Sequence, residues 1–85
     1  MYNEIQELYE YCKNIGINAT LKPLHDGYII KFPNGSDVVQ HRYSYGCCNG
    51  CVEPAISSEL DFTAVSLEVV KEYIEKHKER LNNEV

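Results

Sequence analysis

Two dipeptides, Asp26-Gly27 and Asn34-Gly35, constrain the fold of this 85-residue chain more than any other feature. Both are typical of tight hairpin turns, because glycine and asparagine tolerate positive φ. Apolar and polar residues alternate from residue 17 onwards, and strand-forming stretches follow each turn at 28–32 and 37–43. We therefore predict an antiparallel meander of three strands, with the first over residues 17–24.

A helix is predicted before the meander, over residues 3–15. Its apolar side chains recur every three or four residues, and Gly16 is a natural stop. Asn3 and Gln6 resemble a capping box, so we expect Asn3 to cap this helix. Cys12 falls on the apolar stripe, where a small buried hydrophobe is the expected role for a cysteine.

A second helix is predicted at the end of the chain, with Ser66 as its cap. Glu72 and Lys76 have the i,i+4 spacing and order that favour an ion pair on the exposed side. The stripe expected to be buried has Tyr73 at its margin and consists of Leu67, Val70, Ile74, His77 and Leu81.

These elements predict one α+β domain over residues 1–85, with both helices on one face of the sheet. A long connection separates the third strand from the last helix, and alternation at residues 60–64 indicates a short fourth strand there, which leaves 44–59 as a loop. Double-stranded RNA-binding domains share this element order. They hold phosphates with a basic cluster at the start of the final helix, whereas residues 66–71 here contain one lysine and one glutamate.

Charge and hydropathy restrict the partners. Thirteen acidic against eight basic residues give a net charge of −5, which argues against nucleic-acid binding and suits a partner with a basic surface. The N-terminal residues lack the pattern of a signal peptide, and the longest apolar runs are far too short to span a membrane. We expect a cytoplasmic location, where thiols stay reduced.

The segment SYGCCNGCVEP, residues 44–54, contains three of the four cysteines. Cys48 and Cys51 have a spacing that suits zinc, and Cys47 and His41 would complete a site, with His25 and Cys12 as further candidates. The chain has no second paired unit of ligands. A redox Cys-x-x-Cys pair is disfavoured as well, because no helix starts after Cys51.

The interpretation that we favour for this segment is a shaped turn flanked by aromatic residues. Glycines permit the backbone conformations of such a turn, and tyrosine is enriched at protein interfaces. Period two would present Tyr43 and Tyr45 on the same face as Val39 and His41. The residues predicted to contact a partner are Tyr43, Tyr45, Gly46, Asn49, Gly50 and Glu53.

The stretch DVVQHRYSYGCCNGCVEP resembles a segment of small uncharacterised proteins encoded by bacteriophages of Gram-positive bacteria. The shared pattern is a Val-Val-x-His core, then Ser-Tyr-Gly, a second glycine and a glutamate, here Val38, Val39, His41, Ser44, Tyr45, Gly46, Gly50 and Glu53. Those proteins do not generally have cysteine where this chain has Cys47, Cys48 and Cys51. In size, charge and architecture the chain is also similar, more weakly, to phage inhibitors of bacterial immunity such as certain anti-CRISPR proteins.

We therefore expect a small phage or prophage accessory protein without catalytic activity or cofactor. It would bind a host protein through an acidic, tyrosine-rich surface, as an inhibitor of anti-phage defence. A Cys–His pair of His41 with Cys47 or Cys51 lacks an orienting third residue, which argues against an enzyme. Three alternatives stay open: a structural zinc site, a small nucleotide-type ligand, and a homodimer formed through an exposed edge of the first or third strand.

Overall fold

The computed structural model describes residues 2–44, 50–55 and 64–83. Three helices and five strands occur in these ranges. In chain order they are α1 (Asn3–Asn14), β1 (Thr20–Leu24), β2 (Gly27–Lys31), β3 (Asp37–Gln40), β4 (Cys51–Ala55), β5 (Val65–Ser66), α2 (Leu67–Lys76) and α3 (Lys78–Asn82). None of these three helices has the length and hydropathy of a bilayer-spanning segment.

The strands form one antiparallel sheet in the order β1-β2-β3-β4-β5, so the predicted α+β class and the three-stranded meander are confirmed. Strand β4 lies within residues 44–59, which we predicted to be a loop, and that prediction is wrong. The strand pattern of residues 51–55 was obscured by Pro54, which is buried and lies opposite Val38 of β3. The strand predicted at 60–64 falls outside the described residues except for Ala64, which precedes β5.

One face of the sheet forms the core together with α1 and α2. Ile30, Val38 and Pro54 lie side by side on that face in neighbouring strands and are buried. The helices pack against each other and cover this face with their own buried residues, which are Ile5, Leu8, Cys12, Val70 and Ile74. The prediction that both helices cover one face of the sheet is confirmed.

Glycine ends α1 as predicted. Gly16 has φ 86, and the N–H groups of Gly16 and Ile17 donate to the carbonyls of Lys13 and Cys12. This is the Schellman arrangement, which satisfies the last carbonyls of a helix. The predicted cap at the other end is wrong: Tyr2, with φ 57, holds the N-cap position and no side chain caps from there, while Asn3 is already helical.

The C-terminal helix is capped by Ser66, whose Oγ accepts the N–H of Val69 at 3.4 Å. It is not continuous, because His77 leaves the helical conformation (φ −115°, ψ 27°) and a separate α3 follows. The break lets Leu81 be buried while its carbonyl accepts the N–H of Asn34 from the second hairpin. Lys13 pairs with Glu10 and Lys71 with Glu7, whereas Glu72 and Lys76 do not pair with each other in the described part of the chain, so that prediction is wrong.

Candidate interaction rim

A tight turn over residues 41–44 follows β3, which ends at Gln40 rather than at Tyr43 as predicted. The Ser44 N–H donates to the His41 carbonyl at 2.9 Å, and the Ser44 hydroxyl donates to the same oxygen at 2.9 Å. The hydroxyl oxygen also accepts the His41 N–H at 3.1 Å. Ser44 is 7% exposed, so its short side chain closes the turn from inside.

Tyr43 sits at the top of this turn and is 65% exposed. Its backbone N–H donates to His41 Nδ1 at 3.1 Å. Its ring meets the His25 ring edge-on at 5.0 Å between centroids, and the Arg42 guanidinium carbon lies 4.9 Å from the ring centroid. We call His25, His41, Arg42 and Tyr43 the Tyr43 rim. Its central ring reaches solvent while neighbours on several sides hold it in position.

His41 is the buried base of the Tyr43 rim, at 8% exposure. The His25 ring packs edge-on against it at 4.7 Å between centroids. Burial, with a smaller contribution from the nearby charge of His25, lowers the pKa of His41, and Asp26 and Glu53 oppose this shift. Because Nδ1 accepts the Tyr43 N–H, the neutral ring must carry its proton on Nε2.

Asp26 fastens the Tyr43 rim to the start of α1. Its carboxylate accepts the Tyr2 hydroxyl at 2.5 Å and the Arg42 backbone N–H at 2.9 Å. These hydrogen bonds, led by that from Tyr2, lower the pKa of Asp26. Three segments that are distant in sequence therefore meet at one carboxylate. Sequence reasoning treated Asp26 only as a turn residue, and no local pattern links it to Tyr2.

Gln40 is a second residue that sequence reasoning missed. It is fully buried, and its Oε1 accepts the backbone N–H of Ile5 at 2.9 Å, while its Nε2 donates to Glu4 Oε1 at 2.9 Å. The bond from Gln40 is the main reason that the pKa of Glu4 is lowered. Gln40 thus provides from the sheet the N-terminal cap that Asn3 does not.

The predicted contact residues lie partly within and partly outside the described residues. Tyr43 is exposed, Gly50 is half-buried at φ 73, and Glu53 is half-buried beside Val39 on the adjacent strand. The structure brings Tyr43 and His41 together in the rim. The remaining positions predicted to contact a partner or a metal lie outside the described residues, and they are Tyr45, Gly46, Cys47, Cys48 and Asn49.

Metal ligands do not converge in the part of the chain that the structure describes: no three His, Cys, Asp or Glu residues there could hold one ion. His41 has only Nε2 left for such a role, since Nδ1 accepts the Tyr43 N–H. Cys51 is half-buried. Cys12 is buried in the core as predicted, and burial raises the pKa of its thiol to about 12.

Acidic side chains are concentrated on the helices rather than in the Tyr43 rim. We call the following exposed residues of α1, α2 and α3 the helical acidic face: Glu7, Glu10, Glu68, Glu72, Glu75 and Glu79; the same helices also contain the basic residues Lys13, Lys71, Lys76, Lys78 and Arg80. Tyr11 contacts the helical acidic face as well, because its hydroxyl donates to Glu75 Oε2 at 2.9 Å. Lys71 lies 2.9 Å from Glu7 and above the Tyr11 ring.

Comparison with known protein families, with curated proteins and with solved structures finds no match for this chain. Its function is therefore inferred from the geometry of the Tyr43 rim and from the charges of the helical acidic face.

Proposed function

We propose that this protein is a non-enzymatic binding module that contacts a host protein through the Tyr43 rim. The observation that carries the proposal is the exposure of Tyr43, at 65%, together with the fixed position of its backbone and ring. Tyrosine buries a large area on binding, and it loses little entropy when its orientation is set beforehand. An exposed ring held in this way is suited to anchor an interface.

The net charge of −5 supports a partner with a basic surface, and the helical acidic face contributes carboxylates to it. Its carboxylates include Glu68, Glu72 and Glu79, which lie on the exposed side of α2 and α3. An excess of acidic over basic residues in the whole chain attracts an oppositely charged partner and raises the rate of encounter, while the central apolar contact determines most of the affinity. The same net charge of −5 argues against nucleic acid as the partner.

The resemblance of residues 37–54 to phage-encoded proteins supports a role in the bacterial cytoplasm during infection or lysogeny. We propose an accessory protein that blocks a component of host defence by occupying one of its surfaces. Catalysis is not required for that role. The engagement of His41 Nδ1 by Tyr43 supports a positioning function for His41 rather than general-base chemistry.

Capture from a Gram-positive bacterial lysate tests this proposal. Wild type, Tyr43→Ala, Tyr43→Phe and Val69→Ala are immobilised, and retained proteins are quantified by mass spectrometry at low and high salt. Val69 is the matched control, since it is an exposed apolar residue of α2 at 49%. We expect a host protein that Val69→Ala retains like wild type, that Tyr43→Ala retains about tenfold less, and that higher salt weakens.

Tyr43→Phe preserves the ring and should retain more of that protein than Tyr43→Ala. Each variant should keep the wild-type circular dichroism spectrum, because the exposed Tyr43 side chain contributes little to the core. Equal retention by wild type and Tyr43→Ala would contradict the rim as the contact. Retention that does not depend on salt would contradict the contribution of the helical acidic face.

A further inference from the structure

The sheet face opposite α1 and α2, which we call the outer face, has a regular arrangement of side chains. Successive residues of a strand point to opposite faces, so residues between the buried positions belong to the outer face. The strand register aligns them in two rows across β1, β2, β3 and β4. One row is Lys22, Ile29, Val39 and Glu53, and the next is Thr20, Lys31, Asp37 and Ala55.

In each row, two side chains of opposite charge lie at equal distances on either side of the midline between β2 and β3. Lys22 and Glu53 occupy the outermost strands of the first row, with apolar Ile29 and Val39 between them. In the second row the charges are on the two inner strands, with Lys31 on β2 and Asp37 on β3. With neighbouring strands about 4.8 Å apart, Lys22 and Glu53 are equally distant from a line between β2 and β3.

A twofold axis parallel to the strands, above that line and outside the outer face, would place a second copy opposite the first and in register with it. Such an axis exchanges β1 with β4 and β2 with β3. Lys22 then faces Glu53 of the second copy, Lys31 faces Asp37, and Ile29 faces Val39. Every charge meets its opposite and the apolar residues meet each other, so the outer face is complementary to itself.

We propose that two copies of this chain pack their outer faces together as an isologous dimer. Antiparallel sheets pack in this way about 10 Å apart, with their strands inclined by about 30°. The mixed charges of the outer face favour a second copy over a different protein as its partner. A partner surface with only one sign of charge would be repelled by one of the two charged residues in each row. Pairing through the β1 edge is disfavoured, since Pro23 lacks an N–H and Lys22 stands beside it.

The dimer has a consequence for binding. A twofold axis parallel to the strands keeps the same strand end together in both copies, so the two Tyr43 rims would stand at one end of the dimer. The dimer itself does not depend on the function proposed for that rim. A monomer could use Tyr43 alone, and a dimer could exist without a host partner.

Charge exchange tests the dimer. Sedimentation equilibrium measures the mass of wild type, Lys22→Glu, Glu53→Lys and an equimolar mixture of the two variants over a range of concentrations. We expect wild type to reach twice its 9.8 kDa chain mass. Each variant alone places like charges opposite each other twice, so its dimer should dissociate at a concentration at least about tenfold higher. The mixture should recover the dimer, because both contacts then join opposite charges.

Lys78→Glu is the matched control, since Lys78 is exposed on α3 and away from the outer face. This variant should dimerise nearly as wild type does, because its altered charge lies outside the interface. Three outcomes would overturn the proposal: a monomeric wild type at millimolar concentration, single variants that dimerise like wild type, or a mixture that stays monomeric. Circular dichroism of each variant separates loss of the dimer from loss of the fold.

Discussion

Gln40 of β3 accepts the backbone N–H of Ile5 at 2.9 Å and thereby caps α1 from within the sheet. A cap within the helix would stabilise only that helix. This cap joins the two layers, because its acceptor belongs to the central sheet and its donor to the covering helix. The orientation of α1 over the sheet is therefore fixed by a hydrogen bond as well as by apolar packing.

Gln40→Leu keeps the side-chain size but removes the hydrogen bonds with Ile5 and Glu4. We expect a loss of about 1–3 kcal/mol in the free energy of unfolding, because the N–H of Ile5 stays buried without its acceptor. Urea unfolding, monitored by circular dichroism, measures this loss of stability. Gln6→Leu is the matched control, since Gln6 is exposed on the same helix, and it should change stability by less than about 0.5 kcal/mol. Equal stability of Gln40→Leu and wild type would contradict this role.

Two glycines of the hairpins should respond differently to alanine. A Cβ at Gly27 would overlap the Gln40 carbonyl oxygen, whereas a Cβ at Gly35 would meet open space, with a positive φ of 92 as the only strain. We expect Gly35→Ala to cost about 1–2 kcal/mol and Gly27→Ala to cost more, since the backbone of two strands must separate. Thermal unfolding of both variants compares them directly. A smaller loss for Gly27→Ala than for Gly35→Ala would refute the close approach.

Stability should fall as the pH falls below the ordinary pKa of histidine. The pKa of His41 is lowered from 6.5 in the folded protein, so the unfolded chain binds a proton first. The contribution of neutral His41 is therefore present above pH 6.5 and is lost as the pH falls from there through the lowered pKa. His25, Asp26 and Glu53 face the ring, and the two carboxylates oppose the shift.

His41→Asn separates this effect from other titrations, because its amide oxygen can still accept the Tyr43 N–H but does not titrate. We expect urea unfolding between pH 5 and 8 to show a smaller decrease with acidity for His41→Asn than for wild type. Identical slopes for the two proteins would contradict a neutral, buried His41.

Thiol reactivity should distinguish two cysteines of the described residues. Cys12 is buried in the core and its pKa is raised to about 12, so its thiolate is scarce and inaccessible. Iodoacetamide at pH 8 should modify the half-buried Cys51 well before Cys12, and urea should abolish the difference. Peptide mass spectrometry follows each site. Equal rates in the folded protein would mean that Cys12 is not the packing residue that its helical spacing predicts.

Local signals in the sequence predicted most of the fold. The turns at residues 25–27 and 33–36, the stop at Gly16 and the cap at Ser66 depend on neighbours within a few positions, and the structure contains all four. Strand β4 was missed because proline normally argues against a central strand. Among the described residues, β5 pairs only with Cys51 and Val52, so Pro54 lies where β4 has no neighbour on that side.

Only part of the candidate site could be predicted from the sequence. Tyr43 was predicted because a tyrosine beside a glycine-rich segment is a local feature. Asp26 and Tyr2 were not, and His25 was considered only as a further zinc ligand, because all three reach the turn at residues 41–44 from other segments of the chain. The break at His77 was missed for a similar reason: α3 turns to bond the second hairpin and the end of α1, which helical periodicity does not reveal.

Equilibrium titration of the captured host protein tests the central claim most directly. Dissociation constants are measured for wild type, Tyr43→Ala and Val69→Ala under one buffer condition. We predict that Tyr43→Ala binds at least about tenfold more weakly, equivalent to about 1.4 kcal/mol, while Val69→Ala stays within about twofold of wild type. Equal dissociation constants for wild type and Tyr43→Ala would contradict it.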